Sequence, residues 1–82
     1  MEKINVTEKE RKAVGRALRS LRETHKLKQY QVSEQVDISR FTYAAYEAGK
    51  NMPNIFILYK IAAVYDMSID DIMHLTMAEL RL

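Results

Sequence analysis

The segment from Gln29 to Gly49, QYQVSEQVDISRFTYAAYEAG, contains two short helical patterns separated by a three-residue break. In the first pattern, Val32 and Val36 are four residues apart, so both lie on one side of a helix that we expect to begin near Gln29. Asp37 is expected to end this helix, because Asp adopts the left-handed backbone conformation more readily than most residues other than Gly. The segment is therefore predicted to fold as two helices joined by a tight turn.

The second pattern predicts a helix with one buried side and one exposed side. Ser39 can accept a hydrogen bond from the free amides at its start, and Gly49 supplies a left-handed stop. Tyr43 and Tyr46 have the spacing of a buried face. The opposite side, toward the N-terminal end of this helix, carries Arg40, Phe41, Thr42 and Ala45. This arrangement is typical of a helix-turn-helix, whose second helix enters the major groove of DNA by its N-terminal end.

Three further helices are predicted, which makes the expected fold all-α with five helices. Capping-box pairs predict the starts of the first and fifth helices at Thr7–Glu10 and Ser68–Asp71. The first helix is expected to end near Thr24, and Asn54 can cap the fourth. The expected inward-facing residues are Val14, Ala17, Leu18 and Leu21 in the first helix, Ile55, Leu58, Ile61, Ala62 and Tyr65 in the fourth, and Ile69, Ile72, Met73 and Leu80 in the fifth.

Length and composition restrict the class of protein. The 82 residues are expected to form one domain, with a core over residues 13–73 and a helical tail over 74–82. No run of about eighteen or more apolar residues occurs, so a membrane span is excluded, and the charged N-terminus does not resemble a signal peptide. The chain has no Cys, which excludes disulfides, thiol catalysis and thiolate metal sites. The cytoplasm is the expected compartment.

Positive charge is concentrated in the part of the chain that contains the two-helix pattern. The formal net charge is only +2, but residues 9–50 carry ten basic and five acidic groups, whereas residues 51–82 carry two basic and four acidic groups. This distribution favours a nucleic-acid partner. Without the motif, the same distribution would also fit an ordinary solvated surface.

The fourth helix is apolar on nearly all sides, and such a helix needs a second neighbour. Its expected outer face contains Phe56, Ile57, Ala63 and Val64, and a domain this small often gains stability from a partner subunit. We therefore expect a homodimer seam, formed by Phe56, Ile57, Val64, Leu75, Met77 and Leu80. The alternative is that the last helix folds back over Phe56 and Ile57 within one monomer.

The chain resembles the lambda-repressor-like helix-turn-helix DNA-binding domain of Xre/Cro type over roughly residues 13–73. The residues that carry this resemblance are Leu21-Arg22, Gln29, Val32-Ser33, Ile38-Ser39-Arg40, Tyr43, Tyr46-Glu47, Gly49-Lys50, Pro53 and the run from Ile61-Ala62 to Ile72. The resemblance implies a five-helix bundle that contains the helix-turn-helix.

The resemblance also implies roles for individual residues. Gln29 matches a phosphate contact that braces the recognition helix, and Arg22 and Glu47 match a partly buried ion pair. The base-facing positions are matched by Arg40, Phe41, Thr42 and Ala45. Further phosphate contacts are expected from Lys28, Tyr30, Lys50 and Ser39.

The sequence departs from the family pattern in and around the motif. Asp37 and Asp66 stand where the family usually has Gly, and Ser33 stands where a small Ala is typical, so its hydroxyl needs a partner such as a backbone carbonyl one turn earlier. Lys28 is a poor N-cap. Ala44 and Ala45 offer few hydrogen bonds to bases.

Base recognition would then depend on a few side chains of the second motif helix. Arg40 can bind guanine bidentately, Thr42 can bond to a base, and Phe41 or Ala45 can contact thymine methyl groups. Other roles stay open at each position. Arg40 could contact only phosphate, Phe41 could cover the turn between the helices, and Thr42 could make no contact.

The expected function is a sequence-specific transcription regulator, with repression the expected action, that binds a palindromic operator in double-stranded DNA as a homodimer. The resemblance places it in bacterial or phage cytoplasm, at the nucleoid. The alternative is an antitoxin-like or other protein-interaction module with weak DNA binding, and a toxin or the polymerase stays open as a protein partner. We expect no enzyme, cofactor or metal site, because His25 and His74 are isolated and no Gly-rich phosphate loop occurs.

Overall fold

The computed structural model describes residues 4–81 and contains five helices in that range, with no strand in it. The predicted domain of residues 1–82 extends beyond this range at both ends. The helices are α1 (Glu8–Thr24), α2 (Gln29–Gln35), α3 (Arg40–Glu47), α4 (Ile55–Val64) and α5 (Ile69–Leu80). The all-α, five-helix prediction is confirmed.

The helix starts follow the predicted caps. Reciprocal capping boxes begin α1 at Thr7 and α5 at Ser68. Ser39 and Asn54 accept backbone N–H groups at the starts of α3 and α4. The side chain of Lys28 makes no cap hydrogen bond at the start of α2, and its backbone N–H instead donates to Gln31 Oε1 at 2.7 Å. Local hydrogen bonding therefore defines where each helix begins.

Positive φ angles mark the helix ends, as predicted. Asp37 (φ 58°), Gly49 (φ 74°) and Asp66 (φ 54°) follow α2, α3 and α4. Lys26, after α1, has a φ of 57° that the sequence did not indicate. Each of these residues reverses the chain direction just beyond a helix.

The core is formed mainly by α1, α2, α3 and α4, and α5 packs along α1. The predicted inward residues of α1 are all buried, as are Val32 of α2, Val36 just after it, and Tyr43 and Tyr46 of α3. Gly15 lies where α1 meets α3, and a Cβ atom there would lie 2.3 Å from the carbonyl oxygen of Glu47. The absence of a side chain at Gly15 allows α1 to approach the end of α3 this closely.

The centre of the buried side of α4 is the predicted one, since Leu58, Ile61 and Ala62 are buried, as is Tyr65 just after the helix, but its edges differ. Ile55 was expected to face inward but is 67% exposed, whereas Ile57 and Val64 were expected to face outward and instead pack against the core. Ile57 and Val64 are half-buried at the edge of this face, whereas Ile55 lies in the exposed first turn. Because apolar residues cover most of α4, periodicity alone does not identify the edges of its buried side.

In α5, the buried residues are Ile72 and Thr76. The Thr76 hydroxyl donates to the Ile72 carbonyl oxygen at 2.8 Å, which satisfies it inside the core. Met73, expected to face inward, is exposed, and Leu80 is half-buried. Packing of α5 against α1 therefore buries the face centred on Ile72 and Thr76.

Candidate nucleic-acid interface

Helices α2 and α3 are joined by a short turn with two features that hold their relative orientation. Asp37 has a left-handed backbone, and the N–H of Ile38 donates to the carbonyl oxygen of Ser33 at 3.0 Å. The Ser33 hydroxyl donates to the Tyr30 carbonyl oxygen at 3.0 Å. The sequence predicted such a backbone carbonyl, one turn earlier, as the partner of this hydroxyl. The two helices form a compact pair in which α3 is held by its buried face.

The N-terminal end of α3 is the accessible part of this pair. Arg40 is exposed, Phe41 is 86% exposed, and Thr42 and Ala45 are half-buried. Phe41 therefore does not cover the turn between the helices. Two large side chains, one cationic and one apolar, project from the end of the helix that a major groove would receive.

The hydroxyl groups at the start of α3 are bonded to each other. Ser39 Oγ accepts the Thr42 N–H at 3.0 Å and donates to Thr42 Oγ1 at 2.8 Å. Ser39 is thus primarily an N-cap. The Thr42 hydroxyl still has its own hydrogen to donate, because Oγ1 acts as the acceptor in this pair.

The guanidinium of Arg40 lies over an aromatic ring of the neighbouring helix. Its Cζ atom lies 5.3 Å from the centroid of the Tyr30 ring, within the range of a cation–π contact. Tyr30 is 41% exposed, so this pair forms part of the accessible surface of the two helices.

Three helices meet at the carboxylate of Glu47, at the end of α3. Arg22 of α1 donates from Nε to Glu47 Oε2 at 2.7 Å and from Nη2 to Oε1 at 3.0 Å, and Gln29 of α2 donates to Oε1 at 3.0 Å. Arg22 Nη1 also donates to the Leu27 carbonyl oxygen at 3.0 Å. The structure thus brings Arg22 and Glu47 together as a bidentate pair and uses Gln29 as a brace. The second N–H of the Gln29 amide is left for another acceptor.

Burial and pairing act in opposite directions on these charges. The side chains of Arg22 and Glu47 are 13% and 4% exposed. Burial alone would raise the pKa of Glu47, but the hydrogen bond from Arg22 and further neighbours lower it below its usual value. The same hydrogen bond raises the pKa of Arg22. Both groups are therefore charged at neutral pH.

Two buried tyrosines lie beside this pair. Burial raises the pKa of Tyr43 strongly and that of Tyr65 to about 12, so both phenols are neutral at physiological pH. The Tyr43 hydroxyl is close enough to Glu47 to lower the pKa of that carboxyl, although neither phenol oxygen has a partner in hydrogen-bond geometry among residues 4–81. These tyrosines belong to the core.

The basic residues of the chain divide into two groups. Lys12, Arg16 and Arg19 on α1 form ion pairs with Glu8, Glu79 and Glu23 at 2.8 to 3.2 Å. In contrast, Lys28, Arg40 and Lys50, which flank α2 and α3, pair with no carboxylate in the described range. The charges of Lys28, Arg40 and Lys50 are therefore available to an anionic partner, as are those of Lys9, Lys26 and Lys60, which also form no ion pair within residues 4–81.

Two residues that support this surface were not identified from the sequence. Arg11 donates from Nε to the Gly49 carbonyl oxygen and from Nη1 to the Val6 carbonyl oxygen, each at 3.2 Å. It thereby links the segment before α1 to the end of α3. Gly15 carried a usable signal, because a Gly inside a helix usually has a packing reason. Arg11 carried none, since nothing local distinguishes it from other surface cations.

The expected seam residues are distributed unevenly over the surface. Phe56, Leu75 and Met77 are exposed, and Leu80 is half-buried. Ile57 and Val64 pack against the core of their own chain, which corrects their expected outward placement. Because Phe56 is 75% exposed, α5 does not fold over it.

No group of three metal-ligating side chains occurs among the described residues. None of the helices in the described part of the chain is both long enough and apolar enough to cross a bilayer.

Comparisons with known proteins agree with this architecture. A family model described as helix-turn-helix matches residues 18–72. The HTH-type transcriptional regulator YobD of Bacillus subtilis (strain 168), itself uncharacterised, is 41% identical over 59 residues, which are 72% of this chain and 53% of YobD. The chain thus spans about half the length of this curated relative.

A solved structure shows the same fold. The crystal structure of the clp gene regulator ClgR from Corynebacterium glutamicum superposes with a TM-score of 0.84, covering 88% of this chain and 77% of the other, at 21% identity. Both similar proteins are named as regulators.

Proposed function

This chain belongs to the helix-turn-helix family, and from that membership we propose that it regulates transcription by reading a specific duplex DNA sequence with the N-terminal end of α3. The observation that carries the proposal is the exposure of Arg40 and Phe41 on a helix whose other side is buried. A short helix held in this way can enter a major groove without rearrangement of the fold.

The proposed contacts divide into two kinds. The residues around α3 are proposed to bind phosphates, which sets the register of the protein on the duplex. These residues are Lys28, Gln29, Tyr30, Lys50 and the Ser39 cap. Arg40 is proposed to bind guanine, and Phe41 to contact a thymine methyl group. Thr42 and Ala45, which are half-buried, are proposed to lie against base edges beside them.

We further propose that the protein acts as a homodimer on a palindromic operator, with half-sites about 34 Å apart, one helical turn. Exposed apolar residues of α4 and α5 support this proposal, as does an apolar cleft of about 260 Å³ beside α5 that is lined in part by Met52, Met73, Met77 and Leu80. Occupancy of the operator would then repress transcription by blocking polymerase.

Selection of bound duplexes from a random pool tests this function. We expect a palindromic consensus, and we expect Arg40→Ala to relax one position in each half-site by about 1 to 3 kcal/mol. An asymmetric consensus would refute the symmetric dimer, and recovery of no consensus would refute sequence-specific binding.

A second candidate function is a protein-interaction module that binds DNA weakly. It is favoured by Ile55, Phe56 and Tyr59, which form an exposed apolar group on α4, and by the two Ala residues in α3. A salt titration separates the two functions. A regulator that neutralises phosphates should lose log affinity with log salt at a slope of about −0.9 per contact, whereas a flat response would favour the interaction module.

A further inference from the structure

We infer that Tyr30 is a positioning residue that orients the Arg40 guanidinium to distinguish guanine from other bases. This inference rests on the proposed function and concerns the specificity of the same surface. It assigns Tyr30 a role through its aromatic ring, in addition to the phosphate contact expected from its hydroxyl.

The geometry that carries the inference joins the two motif helices. Tyr30 is the second residue of α2 and Arg40 is the first residue of α3, and the guanidinium carbon lies 5.3 Å from the ring centroid. Both side chains are exposed, and Tyr30 is not part of the buried core cluster. The contact is therefore a feature of the accessible surface and not a by-product of core packing.

The hydrogen-bond donors of Arg40 are otherwise uncommitted. No carboxylate among residues 4–81 forms an ion pair with it, in contrast to Arg16, Arg19 and Arg22. A guanidinium held over an aromatic ring by cation–π attraction leaves its N–H donors free for other acceptors. These are the donors that bind the O6 and N7 atoms of guanine as a pair.

Stacking also reduces the number of conformations that Arg40 adopts before DNA binds. An exposed arginine that must be ordered during binding loses side-chain entropy, and a preorganised one loses less. A phosphate contact needs only a nearby positive charge, whereas bidentate guanine binding needs a defined plane. Loss of the Tyr30 ring should therefore reduce discrimination between bases more than it reduces overall affinity.

The experiment measures affinity for two duplexes that differ at one atom. The guanine assigned to Arg40 is identified from the position relaxed by Arg40→Ala. The second duplex carries 7-deazaguanine at that position, which removes the N7 acceptor and keeps the base pair. The measured quantity is the Kd for the 7-deazaguanine duplex divided by the Kd for the guanine duplex. It is measured for wild type, Tyr30→Phe and Tyr30→Ala. The control is Tyr59→Ala, which removes an exposed tyrosine from α4.

We expect Tyr30→Ala to lower this ratio by about two- to fivefold, the range of an exposed cation–π contact. Tyr30→Phe keeps the ring and should keep the ratio, even where loss of the hydroxyl weakens binding to both duplexes. Tyr59→Ala should leave the ratio unchanged. In an Arg40→Ala background, Tyr30→Ala should have no further effect on it.

Several results would overturn the inference. Equal weakening of both duplexes by Tyr30→Ala would show a phosphate or structural role, and an equal loss of ratio in Tyr30→Phe would assign the effect to the hydroxyl. An Arg40→Ala variant with an unchanged consensus would also refute it. In these three cases the protein still binds DNA specifically, so the proposed function survives, whereas failure to select any consensus removes both.

A measurement without DNA checks the contact itself. Ring-current shifts displace the NMR signals of the Arg40 side-chain protons upfield when the guanidinium lies over an aromatic face. This displacement should be present in wild type and Tyr30→Phe and lost in Tyr30→Ala. Unshifted Arg40 signals in the wild-type protein would contradict the stacking, and unchanged amide spectra elsewhere would show that Tyr30→Ala is folded.

Discussion

At the scale of single residues, Glu47 joins three helices through one carboxylate. Arg22 and Gln29 reach it from α1 and α2, and its own helix is the one that carries the exposed Arg40. A buried ion pair is weak evidence for net stability, because desolvation opposes the Coulomb attraction. Removal of one partner is different, since it leaves the other charge buried and uncompensated.

Glu47→Ala should therefore destabilise the fold by about 3 to 5 kcal/mol. The matched control is Glu79→Ala, which breaks the more exposed pair with Arg16 and should lose about 0 to 1 kcal/mol. Urea denaturation of each variant measures the free energy of unfolding. Similar losses in both variants would contradict the special role of the Arg22–Glu47 pair.

The same carboxylate predicts a pH dependence. The pKa of Glu47 in the folded protein lies below its usual value of 4.5, so ionised Glu47 stabilises the fold above that pH. This contribution is lost as pH falls below 4.5 and through the lowered pKa. The difference in unfolding free energy between wild type and Glu47→Gln should shrink over that window.

Other carboxylates with lowered pKa values are present both in the wild-type protein and in Glu47→Gln. Glu10 and Asp71 owe their lowered pKa values to backbone hydrogen bonds in the capping boxes. Their effects cancel in the difference between wild type and Glu47→Gln. A difference that stays constant from pH 7 to pH 3 would show that Glu47 is not held ionised by its surroundings.

Gly15→Ala tests the close approach of α1 and α3. Alanine has a higher helix propensity than glycine by about 1 kcal/mol, so an unobstructed site would be stabilised. At Gly15 the added Cβ would lie 2.3 Å from the Glu47 carbonyl oxygen, and backbone must move to admit it. We expect net destabilisation of about 1 to 3 kcal/mol. Ser20→Ala, at an exposed site on the same helix, is the control, and thermal unfolding should show it to be neutral or more stable than wild type.

At the scale of elements, the turn between α2 and α3 contains a strained residue. Asp37 has a φ of 58°, which an L-residue with a Cβ adopts at a cost that Gly avoids. Asp37→Gly should therefore stabilise the protein, by up to about 1 kcal/mol, whereas Asp37→Val should destabilise it. In chemical denaturation, the two variants should change the free energy of unfolding with opposite signs. A loss of stability in Asp37→Gly would indicate that the Asp37 carboxylate stabilises the fold by more than the left-handed backbone of Asp37 destabilises it.

Helix α4 shows how the centre of a buried face can be predicted from the sequence while its edges are not. Its cap at Asn54 and its end before Asp66 follow the local signals. Its buried side includes Ile57 and Val64, and its exposed side includes Ile55 and Phe56. The apolar residues left on the outer side are those now available to a partner.

At the scale of the whole molecule, apolar residues stay exposed on both α4 and α5. Sedimentation at micromolar concentration tests the proposed dimer, which we expect for the wild-type protein. Phe56→Ser and Met77→Ser alter the proposed seam and should shift the protein toward monomer. Phe41→Ser removes a more exposed apolar residue, which lies on α3 outside the proposed seam, and should not. A wild-type monomer, or equal effects of all three variants, would refute this seam.

The sequence by itself determined the five helices, their caps, the left-handed ends of α2, α3 and α4, and the two-helix motif with Arg40 and Phe41 at its exposed end. These features depend on hydrogen bonds and backbone conformations within about four residues, so local residue types specify them. Only the tertiary structure decided how far the buried side of α4 extends, that Gly15 admits the end of α3, and that Arg40 lies over Tyr30. These depend on contacts between helices, and a helix that is apolar nearly all round contains little contrast from which the edges of its buried side can be deduced.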